Sequence, residues 1–291
     1  MLRHTPAQKN LQIYRKWLGF LLILFIPGAL AAVPLRAGLL LYAIDPKTGF
    51  YTQGSSLVAI LNGVLAFLTA MMLLPELYRR PVKAEGFPAK SIPLAVTADL
   101  LALLMVLDSG TLFVKMMFQK GGVGAFLCAL AELAAAAFFF LFARAKLGGA
   151  IADFSISALL PVLWAVISLV VAFMNYTTIS NISECLIDIL KMIFVMIFFY
   201  YFARYAGGCT ARREIVGLFA SGLPAALFCL VSTLPHYAAY LISPSRGTLP
   251  DTAGLVYLAA AALILTVLTG VYRGLRADDG ESAAGSPSAE A

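Results

Sequence analysis

Charge is what this sequence has least of. Asp, Glu, Lys and Arg make up 12% of its 291 residues, where a soluble globular domain carries about 25%. The chain therefore has roughly half the charge needed to coat itself for water. Histidine is almost missing: His4 and His236 exclude a haem held between paired histidines and a His-based zinc protease site. Cysteine is sparse. Cys128, Cys185, Cys209 and Cys229 contain no CxxC pair, so their spacing fits neither a metal centre nor a disulfide framework, and they read as small apolar fillers. There is no HExxH, no GxGD, no serine–histidine dyad and no phosphate-cradling glycine loop. Asp108-Ser109-Gly110 and Ala220-Ser221-Gly222 set a serine beside glycine without a placed base. On these grounds no catalytic residue, metal ligand or cofactor is assigned.

What is present is hydrocarbon. Hydrophobic residues make 61% of the chain, with a mean hydropathy of +0.90, and apolar runs recur from Trp17 to Tyr272. In a bilayer an unpaired backbone N–H or C=O costs several kcal/mol, so a spanning segment is a helix or part of a closed barrel. Barrel strands show ~10-residue alternation. These runs are solid blocks of about 20 residues, the length that crosses ~30 Å at 1.5 Å per residue. The expected fold is all-α, a polytopic transmembrane bundle in one domain over residues 1–276. Its spans lie near 17–36, 56–77, 93–116, 122–143, 157–175, 186–206, 214–234 and 253–272. Residues 277–291 are small, polar and acidic and are expected to be a disordered cytoplasmic tail. Pro27 and Pro34 should bend the first span, and Gly38–Ile44 reads as an interfacial segment. Ala29-Leu30-Ala31 has the look of a signal-peptide cleavage site, but the stretch Leu18–Val33 reaches spanning length and predicts an uncleaved first span.

The net charge of +6 is not a nucleic-acid footprint, because no basic run or basic–aromatic patch accompanies it. With the N-terminus inside, 15 of the 21 basic residues fall on the cytoplasmic side and 5 on the outer side, with Lys191 inside a span. That bias places both termini in the cytoplasm. Aromatic residues gather near span ends, among them Phe198-Phe199-Tyr200-Tyr201-Phe202, the depth amphipathic rings favour. The outer segment Asp45-Pro46-Lys47-Thr48-Gly49-Phe50-Tyr51 resembles stretches of uncharacterised multi-pass bacterial membrane proteins. That resemblance implies a bacterial inner membrane and no particular activity.

Ionisable residues inside spans carry the remaining information, since each costs about 2.5–3.5 kcal/mol at the bilayer centre. They are Asp99 and Asp108 in span 3, Glu132 in span 4, and Asp188 and Lys191 in span 6, with Glu184 and Lys115 nearer the outer ends. If spans 3 and 4 form a hairpin turning near Lys120-Gly121, Asp108 and Glu132 lie at matching depth. Asp99 precedes Asp108 by nine residues, about 900° of helix, and so faces the other way. Glu184, Asp188 and Lys191 form a stripe, with Asp188 and Lys191 spaced to pair.

Two readings of these residues compete. In one, Asp108 and Glu132 carry a proton or bind a cation, and Glu184, Asp188 and Lys191 line an entrance, with Asp99 as a second polar position. In the other, the acids bond to nearby hydroxyls or pair with Lys115 or Lys191, as packing specificity. The first points to a small-solute or ion-coupled transporter. The second suits a non-catalytic sensor, assembly factor or partner subunit, acting through a membrane protein partner or a homo-oligomer. An intramembrane enzyme is a third reading, requiring Asp99, Asp108, Ser109 and Glu132 to converge. Spans 1, 2, 5 and 8 are expected to be lipid-facing scaffold, and the glycine- and proline-bearing span 7 a further wall of any site.

Overall fold

The computed structural model describes residues 6–43, 55–77, 90–119, 122–148, 154, 156–176, 182–208, 212–244 and 251–284. Side chains are not described at 6–14, 55, 75–77, 119, 175–176, 182–184, 212–213 and 276–284. The segment Asp45–Tyr51 lies outside the described residues, as do residues 177–181.

Eight helices, all long and apolar enough to cross a membrane, account for the described chain: α1 Pro6–Tyr42, α2 Ser55–Leu77, α3 Ile92–Gln119, α4 Val123–Gly148, α5 Leu160–Tyr176, α6 Ile182–Ala206, α7 Arg212–Ile242 and α8 Thr252–Ala284. A single 3-10 turn, Ser157–Leu159, leads into α5. The chain is thus a multi-pass membrane protein built as an all-α bundle. An even number of crossings puts both ends of the bundle on one side. The connections on that side hold most of the basic residues, so it is called the basic side below.

Long apolar helices form here because a backbone in hydrocarbon has no other partner for its N–H and C=O groups. The hydroxyls follow the same rule. Thr97 donates to the Pro93 carbonyl at 3.0 Å, Ser221 to that of Gly217 at 2.6 Å and Thr266 to that of Ala262 at 2.7 Å, each within its own helix. At the end of α6 the chain reverses through Gly208, whose φ of 83° is a left-handed conformation that costs glycine nothing.

The helices are arranged as a ring with an appendage. α3, α4, α5, α6, α7 and α8 pack neighbour to neighbour in that order, and α8 closes back on α3. α1 and α2 pack against each other and cover the outer side of α7. This makes α7 the central helix. Every residue from Glu214 to Cys229 is buried, and 94% of its most apolar stretch is enclosed, against 22–56% for the other seven spans. Small residues permit the close approach. A Cβ on Gly217 would stand 2.4 Å from the Tyr201 ring of α6, and one on Gly222 would stand 2.9 Å from Phe198 and 3.1 Å from Leu268.

Four expectations change. α1 is one continuous helix through Pro27, Pro34 and Gly38 to Tyr42, so no interfacial segment separates from it before that point. Arg36, expected as the outer end of the first span, accordingly lies inside α1 and is buried, 1% exposed. Phe198, Phe199 and Phe202 form no interfacial belt: all three are fully buried in the core, and only Tyr200 of that run is exposed. The reason is helical phase, since positions i, i+1 and i+4 share the face that α6 turns inward. Finally, α8 continues through residues 277–284, part of the segment expected to be disordered, while 285–291 lie outside the described residues.

Candidate functional site

Inside the ring, the half nearer the basic side is filled by aromatic rings. α4 contributes Phe138, Phe139 and Phe142, α6 contributes Phe198, Phe199 and Phe202, and Phe154 and Trp164 enter from the approach to α5 and from α5 itself. The rings contact edge to face and in tilted stacks, with centroids 5.4 Å apart for Phe142–Phe202, 5.6 Å for Phe139–Phe199 and 5.8 Å for Phe138–Phe154. Such pairs hold α4 and α6 together across the ring and leave a dry layer between them.

Beyond this layer, toward the opposite side, the interior becomes polar. Trp164 meets Tyr257 of α8 at 6.0 Å, and the Lys191 ammonium of α6 lies 4.2 Å from the centre of the Tyr257 ring. Lys191 Nζ is also 2.9 Å from Asp188 Oδ1, the i, i+3 pairing expected for these two residues. The lysine side chain is 9% exposed and the aspartate 31%, so the pair runs from the interior outward. Tyr257 stands within electrostatic range of Glu132, Asp188, Cys128 and Cys229, which places α4, α6, α7 and α8 around one centre.

The carboxyl pair completes that centre. Asp108 of α3 is 6% exposed and Glu132 of α4 is 2% exposed, and the two side chains stand against each other, as the antiparallel hairpin places them. Thr252, the first residue of α8, donates to Asp108 Oδ1. Thr111 lies 3.0 Å from the Thr252 hydroxyl and 3.4 Å from the same carboxylate oxygen. Cys128 hydrogen-bonds Ser168 of α5 and lies close to both acids. Among the described residues neither acid of the pair meets a cation. Lys191 is engaged by Asp188, and Lys115 by Asp251 at 3.1 Å. The latter contact is exposed and forms part of a rim with Tyr237, which donates to the Asp251 carbonyl at 3.2 Å.

Of the residues singled out from sequence, Asp108, Glu132, Asp188 and Lys191 therefore gather in one region. The Glu184 side chain lies outside the described residues. Asp99 does not join them: it faces an apolar groove between α3 and α4, and its Oδ1 is buried with no hydrogen-bond partner. Ser109 Oγ is buried and unpartnered as well. Sequence reasoning missed Thr252 and Tyr257. α8 was expected to be plain scaffold, yet it supplies both the hydroxyl on Asp108 and the ring under Lys191. It also missed Glu214, 2% exposed in its side chain at the start of α7 and held by Arg204 at 2.7 Å.

The chemistry available to this centre is proton exchange. Two carboxylates set side by side repel, and a proton taken up by either relieves that repulsion. Thr111 and Thr252 are neutral donors that can serve either protonation state by rotating. Among the described residues no cluster of three or more His, Cys, Asp or Glu has the arrangement of a metal site. No protein-family model matches the chain, and no curated protein or solved structure does either.

Proposed function

We propose that this chain is a small-solute transporter of the bacterial cytoplasmic membrane, coupled to a proton that Asp108 and Glu132 carry. The observation that supports it is the buried carboxyl pair. Each acid in the bilayer interior costs about 2.5–3.5 kcal/mol, and a lysine partner would be the simplest structural remedy. Both nearby lysines are instead bound to other acids, and the pair is left with hydroxyls and each other. That environment suits loading and release of one proton better than permanent charge.

The surroundings agree with such a role. The aromatic layer closes the basic half of the ring, while the polar groups occupy the other half. A site near mid-membrane, sealed on one side at a time, is what alternating access requires. In this reading Asp188, Lys191 and Glu184 line the approach, and Lys191 is the fixed positive charge nearest to a bound solute.

Proteoliposomes under a pH gradient, offered pools of amino acids, sugars, nucleosides and organic acids on a solid-supported membrane electrode, test the proposal. The expected result is a proton-coupled current with one pool, lost in correctly folded Glu132→Gln and Asp108→Asn. Full current from either variant, or no current from any pool at any pH, would overturn it.

A further inference from the structure

Asp99 marks a second site, on the outer surface of the ring. The groove it faces has a volume of about 540 Å³ and is otherwise apolar. Asp99 and Phe140 stand at one end, Val106 and Leu133 at the other, and Ala102 and Ala136 form the floor. Because α3 and α4 are antiparallel, these ends are seven residues apart on both helices. The groove therefore runs ~10 Å along the bilayer normal, with Asp99 at its basic-side end. One turn further along α4 is Arg144, exposed, its guanidinium carbon 4.9 Å from the centre of the Phe140 ring.

Neither charge is answered among the described residues. Asp99 Oδ1 is buried without a partner, and among the described residues no side chain donates to this carboxyl. Arg144 lies over a ring that lines the same groove, yet it makes no ion pair among the described residues. An apolar channel with one acceptor at its basic-side end and one cation beside it is complementary to a particular class of molecule. The channel takes an acyl chain, the guanidinium a phosphate, and the carboxyl a hydrogen-bond-donating cation.

We propose that the α3–α4 groove binds one phospholipid whose headgroup carries both a phosphate and a primary ammonium. Arg144 takes the phosphate through its planar fork of N–H donors. Asp99 accepts from the ammonium, which supplies the donor that its carboxyl lacks, and rotation about its Cβ–Cγ bond can bring either oxygen to the headgroup. A choline headgroup has the same charge but no N–H, and a glycerol headgroup has a hydroxyl but no cation, so the site discriminates by chemistry that bulk hydrophobicity does not share.

Native mass spectrometry of the full chain in mild detergent tests this, with phosphatidylethanolamine, phosphatidylcholine and phosphatidylglycerol of identical acyl chains added in equal amounts. The expected result is ethanolamine lipid retained about tenfold over choline lipid, the value of one charge-assisted hydrogen bond. Asp99→Asn should abolish that preference and leave glycerol lipid binding unchanged, while Arg144→Gln should weaken both phospholipids together. Equal retention of ethanolamine and choline lipids by the unmodified protein would overturn the proposal without any variant, as would an unchanged preference in folded Asp99→Asn.

Discussion

One methyl group added at Gly217 tests the placement of α7 at the centre of the bundle. An ideal Cβ there falls 2.4 Å from Cε1 and Cζ of Tyr201 and 2.5 Å from its Cδ1. Carbon atoms in contact are comfortable at about 3.5–4.0 Å, so the overlap exceeds ~1 Å and falls on three ring atoms at once. The ring belongs to α6, which packs directly on α7, and relief requires the ring to swing away or the two helices to part. Overpacking of this kind costs about 1–3 kcal/mol. Alanine recovers up to about 1 kcal/mol over glycine in a helix interior, leaving Gly217→Ala destabilised by up to about 2 kcal/mol and clearly below the controls that follow. Gly63 and Gly270 are internal controls, because nothing lies within 4 Å of a Cβ at either. Alanine there should be neutral or stabilising by up to about 1 kcal/mol. The assay is thermal or denaturant unfolding in detergent, followed by intrinsic fluorescence. Repeating it with Tyr201→Ala, which removes the obstructing ring, should cancel the penalty and give a strongly non-additive cycle. If Gly217→Ala unfolds with Gly270→Ala, or its penalty survives in the Tyr201→Ala background, α7 is not packed as described.

Two ion pairs give further tests in the same assay. Lys191→Met removes the ammonium from Asp188 and from the Tyr257 ring, and should destabilise by about 2–3 kcal/mol, with the partial exposure of Asp188 keeping it below the loss for a fully buried pair. The double variant Lys191→Met with Asp188→Asn should recover much of that loss, and additive losses would contradict the pairing. At the basic side, Arg204→Met strands the buried Glu214 carboxylate and should cost about 2–4 kcal/mol. Glu214→Gln should cost less, because it leaves a half-buried arginine that still rests on Tyr200; the reverse order would mean that Glu214 is not enclosed.

Different parts of this architecture were legible in the sequence to different degrees, for physical reasons. Eight spans could be read directly because hydrocarbon demands unbroken apolar helices of a set length. The meeting of Asp108 and Glu132 followed from simple hairpin geometry, since depth in an antiparallel pair depends only on residue count. The identity of the central helix did not follow. Hydropathy reports that a helix enters the bilayer, not which neighbours surround it. The available signal was the string Gly217, Ser221 and Gly222, small residues that let helices close on each other, but it marked span 7 only as a further wall of a site and not as the centre of the bundle. Phe198, Phe199 and Phe202 were misplaced because interfaces and cores both attract aromatic rings. Their shared helical face, separate from Tyr200, was the distinguishing feature. Thr252 and Tyr257 carried no charge to mark them, and their importance arises only from α8 closing on α3. The first span was ended at Arg36 because charge usually ends a span, whereas α1 runs on to Tyr42.

The claim on which the functional account rests is that Asp108 and Glu132 share a proton inside the bundle. Infrared difference spectroscopy of the protein in lipid, comparing the unmodified chain with the double variant Asp108→Asn and Glu132→Gln, measures this directly. The account predicts a protonated-carboxyl C=O band at neutral pH that shifts in deuterated water, is lost in the double variant and survives Asp99→Asn. A spectrum in which that band is missing from the unmodified protein, or persists undiminished in the double variant, would contradict it.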